Sequence, residues 1–370
     1  MVLLAARMSE DKFDKIPAPN APIKGRGAAS NRESRYSETV REKIDDGWWP
    51  EDTPPLKTIV THETSRSIIT RNRSPDIPFD QSINAYRGCE HGCIYCYARP
   101  SHAYLGLSPG LDFESRLFVK PDAADLLRKE LAKKTHRPSP IALGANTDPY
   151  QPLEKEWHIT RQILEVLYEC RHPVSITTKS ALIERDLDLL SAMARERLAQ
   201  VQISITTLDK GLARIMEPRA TSPQRRLQSI RLLVDAGVPV TVLVAPVIPI
   251  LTDAELETIL AQAAAHGAVR AEYIMLRLPL ELNGLFREWL ETHTPLKAKH
   301  VLARQRDIHG GKPYESSFGL RQSGSGIYAD LIQKRFLLAL KKTGLNATEI
   351  HLNSDLFQPP SDAPVQTSLF

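Results

Sequence analysis

The 370-residue sequence is poor in cysteine and lacks any long apolar run. Four cysteines over this length are too few for a disulfide-stapled secreted scaffold, so that class of protein is excluded. No segment reaches the roughly 18 consecutive apolar residues of a membrane span, and the apolar start at residues 2–6 is too short for a secretory signal. We therefore expect a cytoplasmic protein.

Net charge is also small, because 48 lysines and arginines are nearly balanced by 44 acidic residues to leave +4, but the excess is unevenly distributed. Residues 297–342 hold ten lysines and arginines against three acidic residues, which leaves a local excess of +7. Such a stretch predicts either a solvated helical face or a surface that meets phosphate groups.

Proline, glycine and mixed charge without apolar periodicity mark residues 1–60, which we interpret as a disordered or docking N-terminal tail. Trp48 and Trp49 are the exception, and we expect them to dock onto the folded body. Residues 61–295 form the predicted core, residues 296–345 a basic C-terminal extension, and residues 346–370 a flexible tail.

Within the core, short apolar runs alternate with amphipathic stretches. The apolar runs predict strands at residues 82–86, 140–143, 174–177, 201–205, 240–244 and 273–276. The amphipathic stretches predict helices at residues 122–134, 160–170, 182–194, 223–236 and 253–265, with one more at 327–342 in the extension. Strands this apolar predict an α/β fold with a parallel sheet covered by helices, either a partial barrel or a doubly wound sheet. Both architectures place a functional site at the carboxyl ends of the strands.

Cys89, Cys93 and Cys96 lie within eight residues, directly after the first predicted strand. Two glycines in the loop let it wrap around a centre, and thiolates are soft ligands that select zinc or an iron–sulfur cluster. A [4Fe–4S] cluster usually takes four cysteines, so three leave one iron open to a ligand that is not protein. The alternative is a zinc site that is closed by His91 or His102.

The spacing C-x3-C-x2-C, with the aromatic Tyr95 just before the last cysteine, resembles the cluster loop of radical S-adenosylmethionine (radical SAM) enzymes. The resemblance covers about residues 80–295 and extends to the spore photoproduct lyase-like branch, whose members are often labelled DNA repair photolyases. The segments that carry it are residues 84–89, 97–100, 146–154, 177–180, 204–207 and 217–219.

This resemblance implies a partial (β/α)6 barrel of the TIM type that holds one [4Fe–4S] cluster and S-adenosylmethionine. An electron from the cluster would split S-adenosylmethionine into methionine and a 5′-deoxyadenosyl radical, which abstracts hydrogen from a substrate. We expect the substrate to be a nucleic acid, in DNA repair or modification, and the electron to come from an external donor of the flavodoxin or ferredoxin type. The alternatives are a radical SAM enzyme acting on a protein or small molecule, and a zinc-stabilised binding module without catalysis.

The resemblance also implies which residues bind S-adenosylmethionine. It places Tyr95 near the adenine, Asn146 and Asp148 against the cofactor, and Lys179 and Ser204 at its ribose or carboxylate end. Each position has a plainer interpretation as well: a buried aromatic for Tyr95, a turn before a proline for Asn146 and Asp148, and a surface charge for Lys179.

One feature departs from the family pattern. Spore photoproduct lyases use an additional cysteine near the second strand as a hydrogen donor, and the stretch after the second predicted strand contains none. We predict that Cys170 is a small buried apolar residue, which leaves Tyr97 and Tyr150 as candidate hydrogen donors. For Glu217 and Arg219 we expect a structural ion pair rather than a substrate contact.

The last residues resemble the short peptide that bacterial replication and repair proteins insert into the sliding clamp. Gln366 would make an orienting polar contact, while Leu369 and Phe370 would fill an apolar pocket of the clamp. A weaker copy of the peptide lies at residues 352–357.

Overall fold

The structure is a computed structural model that describes residues 22–37 and 56–360. Its strands are β1 (Ile59–His62), β2 (Ile69–Arg71), β3 (Gln81–Ile83), β4 (Tyr86–Arg87), β5 (Arg116–Val119), β6 (Ile141–Leu143), β7 (Val174–Thr178), β8 (Ala199–Ser204), β9 (Val240–Val247) and β10 (Arg270–Met275). Its helices are α1 (Asp112–Ser115), α2 (Ala123–Leu131), α3 (Glu154–Trp157), α4 (Ile159–Glu169), α5 (Leu187–Arg195), α6 (Lys210–Met216), α7 (Pro223–Asp235), α8 (Leu256–Ala265), α9 (Glu281–His293), α10 (Pro295–Asp307), α11 (Leu320–Ser323) and α12 (Ile327–Thr343).

The main sheet has the strand order β10-β9-β8-β7-β6-β3-β2. Neighbouring strands from β3 to β10 are parallel, and β2 at the edge is antiparallel to β3. β9 is buried along nearly its whole length, as expected for a strand that is covered on both faces. The six parallel strands confirm the six predicted apolar runs and the partial barrel.

A small second sheet, which the sequence did not predict, contains β1, β5 and β4. β1 is exposed over most of its length and therefore has no apolar run to reveal it. In this sheet Tyr86 pairs with Val119 and Arg87 pairs with Phe118. The second sheet thus fixes the backbone from which the three-cysteine loop departs.

The predicted helices are present, two of them beginning with a 3-10 helix, at Ala181–Asp186 before α5 and at Asp253–Glu255 before α8. The sequence did not predict α1, α3, α6, α9, α10 and α11. Phe286 and Trp289 of α9 belong to a second apolar cluster, together with Ile94 and Tyr95 of the cysteine loop. The cysteine loop therefore rests on its own core, separate from the core of the barrel. No helix in the described ranges is long and apolar enough to cross a membrane.

Residues 22–37, here called the N-terminal strap, lie against the folded body. Arg35 forms a salt bridge of 2.9 Å with Glu281 at the start of α9. The strap falls within the predicted N-terminal tail, and this part of the tail is docked. Trp48 and Trp49 lie outside the described residues.

The residues after α12 return along the outside of the barrel. The ring of Phe357 lies 5.1 Å from that of His136 and 5.3 Å from that of His172, between centroids. The weaker clamp-like peptide at residues 352–357 therefore has its phenylalanine packed, which differs from the expected flexible tail. The residues of the stronger clamp-like peptide lie outside the described part of the chain: Gln366, Leu369 and Phe370.

The basic segment does not form one continuous surface. Lys341 and Lys342 occupy the last turn of α12. Asn346, just beyond that turn, donates its backbone amide to the carbonyl of Val269 at 3.0 Å, which places the two lysines near the amino end of β10. Four other cations of the segment are paired with carboxylates, namely Arg304 with Asp307, Lys312 with Glu315, Arg321 with Asp76 and Arg335 with Glu257.

Candidate active site

The cysteine loop begins just beyond β4, at the carboxyl end of the first parallel strand. It carries Cys89, Cys93 and Cys96 and turns at two glycines with left-handed backbones, Gly88 (φ 75°) and Gly92 (φ 67°). A Cβ at Gly92 would lie 2.7 Å from a buried carboxylate oxygen, so the turn accepts glycine alone. The glycines thus let the three thiols share one tightly packed loop.

Cys89 and Cys93 are buried beside acidic groups, whereas Cys96 is half-buried. Burial, with a smaller contribution from the charge of Asp148, raises the pKa of Cys89 well above its usual range. Burial and the charge of Glu217 raise the pKa of Cys93 to about 12, and burial raises the pKa of Cys96. Without a partner these groups stay protonated at neutral pH, whereas a bound cationic metal centre deprotonates a coordinating thiol. The donor set therefore suits a metal centre made for thiolates.

The histidines proposed for a zinc site have other partners. His91 Nδ1 lies 3.3 Å from Asp148 Oδ2, and His102 Nε2 lies 2.9 Å from the carbonyl oxygen of Arg116. Among the described residues, no three thiol, imidazole or carboxylate groups converge as a single metal ion requires. In a four-iron cluster each cysteine binds a different iron, so its ligands lie around the cluster rather than around one point. The donor set therefore gives no support to zinc, and three thiols are the type of ligand that an iron–sulfur cluster takes.

Asp148 joins the loop after β6 to the end of β7. Its carboxylate accepts hydrogen bonds from Thr178 Oγ1 at 2.7 Å and from the backbone amide of Lys179 at 2.8 Å. Burial alone would raise the pKa of Asp148, but His91 and these hydrogen bonds lower it to about 2. Asp148 therefore acts as a buried junction in the turn, whereas the side chain of Asn146 has no hydrogen-bond partner in the described part of the chain and stays available to a ligand.

Three of the residues predicted to bind S-adenosylmethionine converge beside the thiols. Lys179 Nζ donates to Ser204 Oγ at 2.7 Å and lies 5.8 Å from the centroid of the Tyr95 ring. The positive charge of Lys179 lowers the pKa of Cys93 and Cys96, against the larger effect of burial. Lys179 thus offers a cation at the carboxyl end of β7, next to the thiol loop.

A buried ion pair between Glu217 and Arg226 holds the hydroxyl of Tyr95 in place. The hydroxyl of Tyr95 donates to the carboxylate of Glu217 and lies 3.0 Å from Thr206 Oγ1. Glu217 is in turn paired with Arg226, and both side chains are almost fully buried. Burial alone would raise the pKa of Glu217, but Arg226 and Lys179 lower it to about 2.

The expected pairing of Glu217 with Arg219 was wrong. Arg219 instead forms a salt bridge of 2.7 Å with Glu90 in the cysteine loop. Sequence proximity does not decide the pairing, because the turn at Pro218 directs the two side chains to different neighbours. Both residues nevertheless have structural partners, as the sequence had suggested.

The two tyrosines proposed as hydrogen donors lie in different environments. Tyr97 is 45% exposed, donates its hydroxyl to the carbonyl of Ala145, and has the Arg277 guanidinium carbon 4.4 Å from its ring centroid. Tyr150 is fully buried and donates to Asp186 Oδ2 at 3.0 Å. Only Tyr97 stands at the accessible mouth of the barrel.

Cys170 lies away from the thiol loop, at the end of α4, and is 1% exposed. Its backbone carbonyl accepts a hydrogen bond of 2.8 Å from the amide of Gln358 in the returning C-terminal segment. This placement matches the predicted small buried residue.

Sequence reasoning missed three buried charged residues that hold the site: Arg99, Glu114 and Arg226. Arg226 precedes Ser229 and Ile230 by three and four residues, so it lies on the buried stripe of α7. A charged residue on an apolar stripe was the available signal, because such a charge needs a buried partner. Arg99 begins a 3-10 helix of seven residues and Glu114 lies in the four-residue α1, and helices this short show no clear apolar stripe.

A parallel α/β barrel with a three-thiol loop at the carboxyl ends of its strands defines a class of cluster-dependent enzymes. The sequence model of the Radical SAM superfamily matches residues 83–263. An uncharacterised protein of Mycobacterium tuberculosis is 38% identical over 240 residues, which are 64% of this chain and 69% of that protein. The chain belongs to the radical SAM superfamily, whose cofactors are a [4Fe–4S] cluster and S-adenosylmethionine.

Other matches agree with this fold. An uncharacterised protein of Methanocaldococcus jannaschii is 31% identical over 173 residues, covering 47% of this chain and 62% of that protein. The solved structure of spore photoproduct lyase complexed with dinucleoside spore photoproduct superposes with a TM-score of 0.54. That match covers 77% of this chain and 79% of the lyase at 16% identity, so it shows a shared fold.

Proposed function

We propose that the protein is a radical SAM enzyme that acts on a nucleic acid, in DNA repair or modification. In this proposal Cys89, Cys93 and Cys96 hold the [4Fe–4S] cluster, while Lys179 and Ser204 receive S-adenosylmethionine. The observation that carries it is one loop with three thiols, two buried and one half-buried, beside the Lys179–Ser204 pair at the carboxyl ends of the strands. When bound, the cluster supplies the electron that cleaves S-adenosylmethionine to a radical able to abstract hydrogen.

The protein residues position and protect this chemistry. Lys179 would bind the anionic end of S-adenosylmethionine, since it is a half-buried cation whose ammonium group donates to the neutral hydroxyl of Ser204. The hydrogen bond from the Tyr95 hydroxyl to Glu217 would fix the orientation of the Tyr95 ring, which would form one wall of the cofactor site. Burial of Cys89 and Cys93, at 7% and 8% exposure, would exclude water from the cluster side.

Nucleic acid is supported as the substrate by two features. The sequence resembles the spore photoproduct lyase-like branch, and a solved lyase with the same fold binds a dinucleoside photoproduct. In addition, Arg277 stands at the mouth over Tyr97 without a carboxylate partner among the described residues. An unpaired guanidinium beside an exposed ring suits a ligand that combines phosphate with a planar base. Tyr97 is the proposed hydrogen donor to the substrate.

The experiment that tests this proposal is anaerobic purification and cluster reconstitution, followed by reduction with S-adenosylmethionine present. The expected results are a broad visible absorbance and the formation of 5′-deoxyadenosine. The assay is repeated with a panel of damaged and undamaged DNAs and RNAs. Stimulation by none of the nucleic acids, with 5′-deoxyadenosine still formed, would favour a protein or small-molecule substrate, and a colourless protein would exclude the cluster.

Two partners belong to the proposal. An external one-electron donor of the flavodoxin or ferredoxin type would reduce the cluster. A sliding clamp would bind Gln366, Leu369 and Phe370. Deleting Leu369 and Phe370 is expected to abolish retention on an immobilised clamp, and unchanged retention would remove the clamp from the proposal.

A further inference from the structure

The N-terminal strap contacts the cysteine loop directly through Gly27. A Cβ at Gly27 would lie 1.9 Å from the carbonyl oxygen of Gly92 and 3.3 Å from the backbone nitrogen of Ile94. Both atoms belong to the residues that flank Cys93. The backbones of the strap and the loop are therefore in contact beside Cys93. Any side chain larger than hydrogen at Gly27 would push them apart.

One buried carboxylate fastens this contact. Glu114 is fully buried, and its two oxygens accept the backbone amides of Gly27 and Ala28, each at 2.9 Å. Hydrogen bonds from backbone amides to a charged carboxylate are stronger than hydrogen bonds from the same amides to a neutral acceptor. The strap is thus held in register with the loop rather than resting loosely upon it.

The same carboxylate is paired with Arg99, which is also fully buried. Arg99 donates from Nε to the carbonyl of Cys93 at 2.9 Å and from a terminal nitrogen to the carbonyl of Gly92 at 3.0 Å. Glu114 therefore takes hydrogen bonds from the strap while its partner Arg99 gives hydrogen bonds to the cysteine loop. The two charged residues connect the strap to the backbone of Cys93.

We propose that residues 26–30 of the N-terminal strap are positioning residues for the thiol loop, acting through Glu114 and Arg99. The strap sets the backbone at Gly92 and Cys93, and it closes that side of the loop to solvent. Positioning of the cluster by the strap rests on the proposed function, because that function makes the three thiols the ligands of the cluster. The placement of the strap itself does not depend on that function.

The test is the rate of alkylation of individual cysteines in the reduced, cluster-free full-length protein, followed by mass spectrometry with iodoacetamide as the probe. Gly27→Ala is expected to raise the rate at Cys93 by about tenfold or more, because the strap must lift. Cys170 serves as the internal reference, since general loosening of the fold would raise its rate as well. Lys24→Ala is the control, because Lys24 belongs to the same strap and its side chain is exposed.

Equal rates at Cys93 in Gly27→Ala and the unaltered protein would overturn the proposal, and so would a parallel rise at Cys170. If Gly27→Ala does not fold, amide hydrogen exchange of the unaltered cluster-free protein decides the question. The Gly27 and Ala28 amides are then expected to exchange as slowly as the amides of β8, and rapid exchange would refute the strap's role.

A second measurement separates this proposal from the proposed function. After reconstitution, Gly27→Ala is expected to lose its visible cluster absorbance in air faster than Lys24→Ala and to show an altered electron paramagnetic resonance signal. If the unaltered protein forms no cluster but the alkylation result holds, the proposed function fails while the strap's role stands. If the cluster forms and the alkylation rates at Cys93 do not differ, the strap's role fails while the proposed function stands.

Discussion

Removing the charge of Arg226 from its buried ion pair with Glu217 is expected to lower the free energy of unfolding. Both side chains are at most 2% exposed, and Glu217 also accepts the Tyr95 hydroxyl. Arg226→Met keeps the approximate volume of the side chain and removes its charge. The carboxylate then remains in the interior without its principal partner, which costs about 3–5 kcal/mol of unfolding free energy.

The pKa of Glu217 gives an independent magnitude. The pair lowers this pKa from its ordinary 4.5 to about 2, which corresponds to roughly 3 kcal/mol at neutral pH. Because the pKa is lowered in the folded state, this stability is complete above pH 4.5 and is lost as the pH falls toward 2. The difference in stability between the unaltered protein and Arg226→Met should therefore narrow as the pH falls from 7 to 3.

The assay is urea unfolding followed by circular dichroism at several pH values. Arg225→Met is the matched control, since Arg225 is the neighbouring residue on α7 and its ion pair with Glu184 is 40% exposed on the arginine side. We expect that control to cost at most about 1 kcal/mol. Adding Glu217→Gln to Arg226→Met should restore part of the loss. A loss below about 1 kcal/mol for Arg226→Met, or a difference independent of pH, would refute the reasoning.

Three further predictions concern the site itself. Cys93→Ala should abolish the visible absorbance of the reconstituted protein, whereas Cys170→Ala should retain it; equal spectra would exclude Cys93 as a ligand. Lys179→Met should raise the dissociation constant of S-adenosylmethionine roughly 10- to 150-fold, as expected for the loss of a charged hydrogen bond of about 1.5–3 kcal/mol, and calorimetry with Lys341→Met as control measures this. Tyr97→Phe should lower the yield of product per 5′-deoxyadenosine without preventing cleavage, and an unchanged ratio would show that another group donates the hydrogen.

The barrel was predictable because its strands are largely buried. In β9, apolar side chains follow one another so closely that the sequence alone indicates burial, and in β7 the buried residues alternate with half-buried ones. β1 gave no such signal, because it is mostly exposed and is defined by its pairing with β5, residues that are far apart in the chain. Helix α9 was overlooked although its apolar residues are spaced for a helix, since it follows the last predicted strand and extends the core beyond the repeating unit.

The thiol loop was predictable for a different reason. Its chemistry lies within eight consecutive residues, so spacing alone discloses it. The groups that hold the loop come from distant parts of the chain, as the pairing of Glu114 with the amides of Gly27 and Ala28 shows. Long-range polar contacts of this kind depend on the finished fold, and no local pattern announces them.

The packing of Phe357 against the rings of His136 and His172 fixes where the segment after α12 leaves the barrel. His172 lies two residues before β7, so Phe357 packs at the amino ends of the strands, opposite the cysteine loop. The segment that follows Phe357 therefore starts from the end of the barrel that is farthest from the three thiols. A molecule that contacted this segment would approach the barrel without covering the thiol loop.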